Sequence, residues 1–244
     1  MAMTVYRLFV ANPLSAGAEI APKAEQAHYL LHVLRLGEGA QILVFDGESG
    51  EWRAEIVKAR KSACTIKLMA KVCEQTAPQD IHYAFAPLKQ ARLDYAIQKA
   101  TEMGASRLQP VLTAHTAVSR LNLERMRANA IEAAEQCGLL TVPSIDAPVK
   151  LDAFLKASGK DRVTVFCDER AEPGSPLDAL AKLKGRKVTA LIGPEGGFSE
   201  AERELLLSKD FVCPVSLGPR ILRAETAAVA ILALVSAVLG DWQR

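Results

Sequence analysis

From Ile81 onward the sequence alternates between short, nearly continuous apolar runs and longer amphipathic ones, and that rhythm leaves few folds open. Expected strands are Ile81 to Pro87, Leu108 to Thr113, Val163 to Asp168, Lys187 to Ile192 and Phe211 to Leu217. Expected helices are Leu93 to Met103, Asn122 to Cys137, Leu177 to Leu183, Ser199 to Ser208 and Glu225 to Leu239. Strands that are apolar throughout, rather than at alternate positions, must be buried on both faces. The alternation therefore predicts a parallel sheet covered by helices, an α/β domain.

The first part of the chain reads differently. Val5 to Val10, Gln41 to Asp46, Trp52 to Val57 and Cys64 to Met69 are short β-rich runs, separated by turn signals such as Asp46-Gly47 and Ser49-Gly50. One helix, Glu25 to Leu34, interrupts them. This pattern predicts a small β-barrel-like module of about 70 residues, within the usual range for a domain. The polar stretch Cys73 to Asp80 (CEQTAPQD) is the expected linker, so the chain divides into residues 1–74 and 75–244.

Composition closes off several classes of function. Half of the 244 residues are hydrophobic and 24% are charged, which rules out a disordered chain. Five cysteines, an odd number without a CxxC pair, argue for a reducing compartment and a cytoplasmic protein. Only His28 and His32 stand at ligand spacing, so no metal site is expected. Met1 to Val10 has no export pattern, and the apolar run Ala227 to Leu239 is shorter than the roughly 20 residues that cross a bilayer, so no membrane association is expected. The net charge of +2 is too small for a general electrostatic binder. Locally the balance differs. Arg53 to Lys71 carries six basic residues against one acid, and His82 to Ala130 carries seven against three, two surfaces suited to a phosphate backbone.

Two segments near the carboxyl end share a grammar. Val188 to Gly197 (VTALIGPEGG) and Val215 to Thr226 (VSLGPRILRAET) are each an apolar strand that ends in Gly-Pro and leads into a helix. If their strands are parallel neighbours, both loops emerge at the carboxyl edge of the sheet, where open α/β sheets bind ligands, and the loop after Cys167-Asp168-Glu169 joins them. Glycine lets a ligand approach bare main chain, Pro194 and Pro219 stiffen the turns, and Ser199-Glu200-Ala201-Glu202 fits a capping box that fixes the following helix. The ligand is not expected to be a triphosphate, because GxxxxGK[ST] is missing, nor a dinucleotide, because GxGxxG is missing. Apolar Leu191, Ile192, Leu217, Ile221 and Leu222, with Arg220 and Arg223 as the only nearby cations, suit an adenine and a sulfonium better than a chain of phosphates.

The segments LIGPEGG (Leu191 to Gly197) and LGPRILRAETA (Leu217 to Ala227), with LDYAIQKATEMG (Leu93 to Gly104) and AAEQCG (Ala133 to Gly138), resemble the RsmE family of bacterial methyltransferases acting on small-subunit ribosomal RNA. The amino-terminal RLF (Arg7 to Phe9), HYLLHVLRLGEG (His28 to Gly39) and FDG (Phe45 to Gly47) extend the resemblance over nearly the whole chain. It implies a PUA-like RNA-binding domain followed by a SPOUT methyltransferase domain, a knotted parallel sheet whose carboxyl-terminal chain threads a trefoil. It also implies a homodimer, with ribosomal RNA or the assembled small subunit as partner. The family's S-adenosylmethionine pocket falls on Leu191, Gly193, Glu195, Gly196 and Gly197, and on Leu217, Gly218, Arg220, Ile221, Leu222 and Ala227. Two departures concern RNA contacts: Leu139 follows Gly138 where the family usually has Arg, and Thr116 to Arg120 lacks the usual Cys-x-x-Lys ending.

The family reaction is methyl transfer to N3 of a uridine. Uracil N3 carries a proton, so the site needs a base or a cation that stabilises the uracilate. Glu225, Arg223, Glu169 and Arg7 are the candidates, with Glu225 accepting or relaying the proton and Arg223 stabilising charge on a uracil oxygen. Two other readings compete. A non-catalytic RNA-binding protein would have no use for paired Gly-Pro loops, and a nucleotide-dependent metabolic enzyme would not need the basic amino-terminal module.

Overall fold

The computed structural model describes residues 6–118, 120–159, 161–172 and 174–243. Val5, where the first expected strand begins, and Ser119 lie outside the described residues. The chain forms two compact units. One holds the residues up to Ala77 together with Ala134–Val142; the other holds Pro78–Ala133 and the chain from Pro143 on.

The first unit is built on β1 (Arg7–Phe9), β2 (Glu19–Ile20), β3 (Gln41–Phe45), β4 (Glu51–Arg60) and β5 (Ala63–Cys73), with a short helix α1 (Ala24–His28) that runs on into a π-helical turn, Tyr29–Val33. The strands lie in the order β1-β3-β4-β5-β2, antiparallel except for β1 beside β3. No ladder joins the edge strands β1 and β2 among the described residues. Alternation decides the faces. Ile42, Val44, Trp52, Ala54, Ile56, Ile66 and Leu68 point into one core, which Leu30 closes from the helical turn. His32, half of the histidine pair, is occupied locally: its Nε2 donates to the Lys61 carbonyl at 2.7 Å. The hairpin β4–β5 is longer than its apolar runs foretell, because register shifts in its ladder carry it through the charged residues at its tip.

The second unit carries β6 (Ile81–Phe85), α2 (Gln90–Glu102), β7 (Arg107–Leu112), α3 (Leu123–Cys137), β8 (Ser144–Ile145), β9 (Val149–Lys150), α4 (Leu151–Ala157), β10 (Arg162–Cys167), α5 (Pro176–Ala181), β11 (Lys187–Ile192), α6 (Glu200–Leu207), β12 (Val212–Val215) and α7 (Ala224–Val238). The last residues of α3, from Ala134, fall within the first unit. Every strand pairing in this sheet is parallel, in the order β12-β10-β11-β6-β7-β8, with β9 also on β7. The continuous burial of β10 and β11 follows from helices on both faces.

Helix α7 returns from edge strand β12 to pack on β11, α2 and α5, burying Ala228, Ile231, Leu232 and Val235. Ser236, which interrupts the apolar run, is fully buried and donates to the Met103 carbonyl at 3.2 Å. Among the described residues no helix is long and apolar enough to cross a membrane.

Candidate active site

Because β10, β11 and β12 are parallel, their carboxyl ends at Cys167, Ile192 and Val215 share one edge. The two Gly-Pro loops do not leave neighbouring strands: β10 stands between β11 and β12, so the loop after Cys167 is the central one. Together the three loops enclose a cavity of about 890 Å³, walled by Gly193, Glu195, Gly196, Gly197, Leu217, Gly218, Arg220, Ile221, Leu222 and Ala227, with Glu169 and Arg223. Ile192 and Cys167 form part of its floor.

The shape of the first loop is set by packing and hydrogen bonds. Gly197 has φ +68°, and a Cβ there would meet Glu169 Oε1 at 2.6 Å, so both backbone angle and space demand glycine. A Cβ on Gly193 would come within 2.6 Å of the Phe198 ring. His115 Nδ1 donates to the carbonyls of Gly196 and Gly197 at 3.2 and 3.0 Å, bracing the loop from outside. The expected capping box is present: Ser199 Oγ accepts from the Glu202 amide at 3.3 Å, and Glu202 Oε2 accepts from the Ser199 amide at 3.0 Å. Glu202 Oε1 also accepts from the Ala114 amide at 2.7 Å, which ties the same helix start to the loop that carries His115.

The central loop starts from a buried carboxylate. Asp168 is 2% exposed and accepts from Arg203 Nε at 2.9 Å and from the Arg170 amide at 3.0 Å, which aims the adjacent Glu169 at the cavity wall. Burial pushes the Cys167 thiol far up, so it stays protonated and acts as a small apolar surface rather than a nucleophile.

Three expected site residues lie elsewhere. Leu191 is fully buried in a cluster with Phe166, Phe198 and Leu206, on the face of β11 turned away from the cavity. Arg7 sits in the first unit: it pairs with Glu51 at 2.6 Å, lies 4.6 Å over the Phe45 ring, and donates to the carbonyls of Ala134, Glu135 and Leu139. These bonds fasten the carbonyls at and just beyond the end of α3, a structural task that its place in a short motif could not disclose. Glu225 stands in the first turn of α7, outside the cavity wall, 13% exposed, with Oε2 buried and without a partner.

Sequence reasoning missed Arg92. Within the run of basic residues it has no distinguishing spacing, yet in the fold it leaves α2 to line the cavity and pairs with Glu195. His115, Asp168 and Arg203 were missed for the same reason: their roles depend on partners more than 30 residues away, as with Asp168 and Arg203.

The residues present fit S-adenosylmethionine. A volume of about 890 Å³ is ample for such a ligand, the floor is apolar, and exposed main chain from the glycine loops supplies hydrogen bonds to a purine edge.

Comparison with known proteins agrees. The RNA methyltransferase domain family matches residues 75–236, and the RNA methyltransferase PUA domain family matches residues 22–69. Fold and site together define an RNA methyltransferase with a PUA domain. Ribosomal RNA small subunit methyltransferase E of Synechocystis sp. is 37% identical over 242 residues, covering 96% of this chain and 78% of the relative. The protein of the same name from Rickettsia conorii is 32% identical over 235 residues, 96% of each chain. A putative methyltransferase from Legionella pneumophila, solved in complex with the cofactor SAM, superposes with a TM-score of 0.85 at 27% identity over 98% of this chain and all of that one (100%). The chain belongs to the ribosomal RNA small subunit methyltransferase E family.

Proposed function

We propose that this protein methylates N3 of a uridine in small-subunit (16S) ribosomal RNA, with S-adenosylmethionine as methyl donor. The observation that carries the reading is the single cavity walled by main chain of both Gly-Pro loops and by Glu169. When bound, S-adenosylmethionine supplies an electrophilic methyl group, so the protein's work is alignment and removal of one proton. The glycine loops hold the donor through main-chain groups. Arg223, at the rim and without an ion-pair partner among the described residues, stabilises charge that develops on a uracil oxygen as N3 becomes nucleophilic. Glu225, just outside the cavity wall, accepts or relays the N3 proton, and its buried, unpartnered Oε2 is an acceptor in need of a donor. As the methyl bonds to N3, the bond it leaves returns its electron pair to sulfur.

N3 lies on the pairing edge of uracil, so the target base is unpaired or extruded when it reacts. The basic runs of both units carry the phosphate contacts. The working form is a homodimer in the cytoplasm, consistent with the bare, 92% exposed Ile221 on the second loop, which a ligand or a partner surface would cover. Arg7, held by helix-end carbonyls, supports the first unit and the chemistry does not require it.

Mapping of modified uridines by mass spectrometry in ribosomal RNA from cells with and without the gene tests the reading. One 3-methyluridine of the small subunit should vanish and return on complementation. An unchanged modification pattern would refute it.

A further inference from the structure

Arg92 has no part in the reading above, and the geometry around it is specific. Its guanidinium leaves α2 and binds the Glu195 carboxylate of the glycine loop through Nη1, while Nε lies 3.7 Å from Glu225 Oε1 on α7. Among the described residues it is the only cation paired with Glu225. The other titratable neighbour is Tyr83 on β6, a fully buried phenol whose hydroxyl also lacks a partner; burial pushes it up first, then Cys167 and the charge of Glu225.

We propose that Arg92 is a positioning residue of the transferase site. It pairs with Glu225 at Oε1 and so holds the carboxylate whose buried, unpartnered Oε2 accepts or relays the N3 proton, and its hydrogen bond to Glu195 fixes that arrangement relative to the loop that holds the methyl donor. The inference rests on the role given to Glu225 above. Arg92 makes its bonds to carboxylates of the chain itself, so its removal should disturb proton transfer more than ligand affinity. Lysine, a point charge with one contact at a time, restores charge but not the two-sided bridge.

The test uses the full-length protein with small subunits purified from cells lacking it. Arg92→Met should lower kcat ten- to hundredfold, while the Michaelis constant for the subunit and the calorimetric affinity for S-adenosylhomocysteine stay within about threefold of the parent. Arg92→Lys should fall between, and it answers the question on its own if the methionine variant does not fold. In a Glu225→Gln background, Arg92→Met should cost less than about threefold, because a residue acting through Glu225 has nothing further to lose. Multiplying losses in the double variant would overturn the proposal, as would an Arg92→Met defect in which affinity for S-adenosylhomocysteine and melting temperature fall together with kcat. If Glu225→Gln alone leaves turnover unchanged, the role of Glu225 and that of Arg92 both fall, while continued methylation of the subunit leaves the methyltransferase reading standing.

Discussion

The two edges of the parallel sheet are built on opposite principles. At the amino edge, polar groups are matched to one another. Asp80 receives Arg162, with Lys187 at 3.4 Å and His82 at 3.3 Å, and Arg107 meets Asp146 at 2.6 Å. Arg162 also donates to the Val188 carbonyl at 2.7 Å. At the carboxyl edge the loops leave main chain bare around a cavity, Arg220 and Arg223 lack ion pairs among the described residues, and Glu225 Oε2 has no partner. The amino edge pairs its charged groups with one another; the carboxyl edge pairs those that brace its loops and leaves others open towards the cavity. A buried polar group without a partner, such as Glu225 Oε2, costs stability in the free protein, and such sites persist where a bound molecule completes them.

Substitutions at the two edges should therefore fail in different ways. The largest effect is expected at Gly197. Gly197→Val forces a branched side chain into φ +68° and onto Glu169, so affinity for S-adenosylmethionine should drop by at least about a hundredfold by calorimetry. Retained affinity would show that the loop is not where the donor binds. At the amino edge the damage should be to stability alone. Arg162→Met removes the cation that Asp80 and the Val188 carbonyl share, and chemical denaturation should register a loss of about 1–3 kcal/mol, with affinity for S-adenosylmethionine unchanged.

His82 should give the same edge a pH dependence. Burial and then the neighbouring Arg162 charge lower it from 6.5 to about 4, so the folded state holds it neutral. Between pH 6.5 and 4 the unfolded chain binds the proton that the folded one refuses, and stability is lost progressively as pH falls through that window. The loss should total roughly 3 kcal/mol, and His82→Gln should flatten it in denaturation midpoints measured across the range. Asp80 works outside this window: although burial pushes it up, its bond to Arg162 and the surrounding positive charge hold its carboxyl below the usual range. The smallest effect belongs to Lys187→Ala, which breaks an exposed ion pair and should change stability by less than about 0.5 kcal/mol.

Much of this architecture was legible because local signals and packing agree. The capping box at Ser199 and the mostly apolar β11 appear where the sequence puts them, since the cap is made by residues adjacent in the chain and the apolar run of β11 suits burial on both faces. Helix α4 was overlooked although Leu151, Phe154 and Leu155 carry helical spacing; its 7 residues are too few for periodicity to stand out from the loops around it. Strands β2, β8 and β9, of 2 residues each, have no pattern of their own and exist only because a neighbouring strand offers an edge. The wall residues at the glycine loops were legible through Gly and Pro. Arg92 and Asp168 were not, because a charged side chain in a helix or at a strand end says nothing of its partner.

By itself the sequence determined the alternation of buried strands and amphipathic helices, the two loops of bare main chain and the family to which they belong, because glycine, proline and apolar period act over a few residues. Only the tertiary structure decided that β10 stands between the two loops, that Arg7 is committed to the end of α3, and that Arg92 rather than a nearer residue faces Glu225. Those outcomes depend on strand order and on which distant groups meet, and Coulomb and hydrogen-bond energies depend on distance in space, not along the chain.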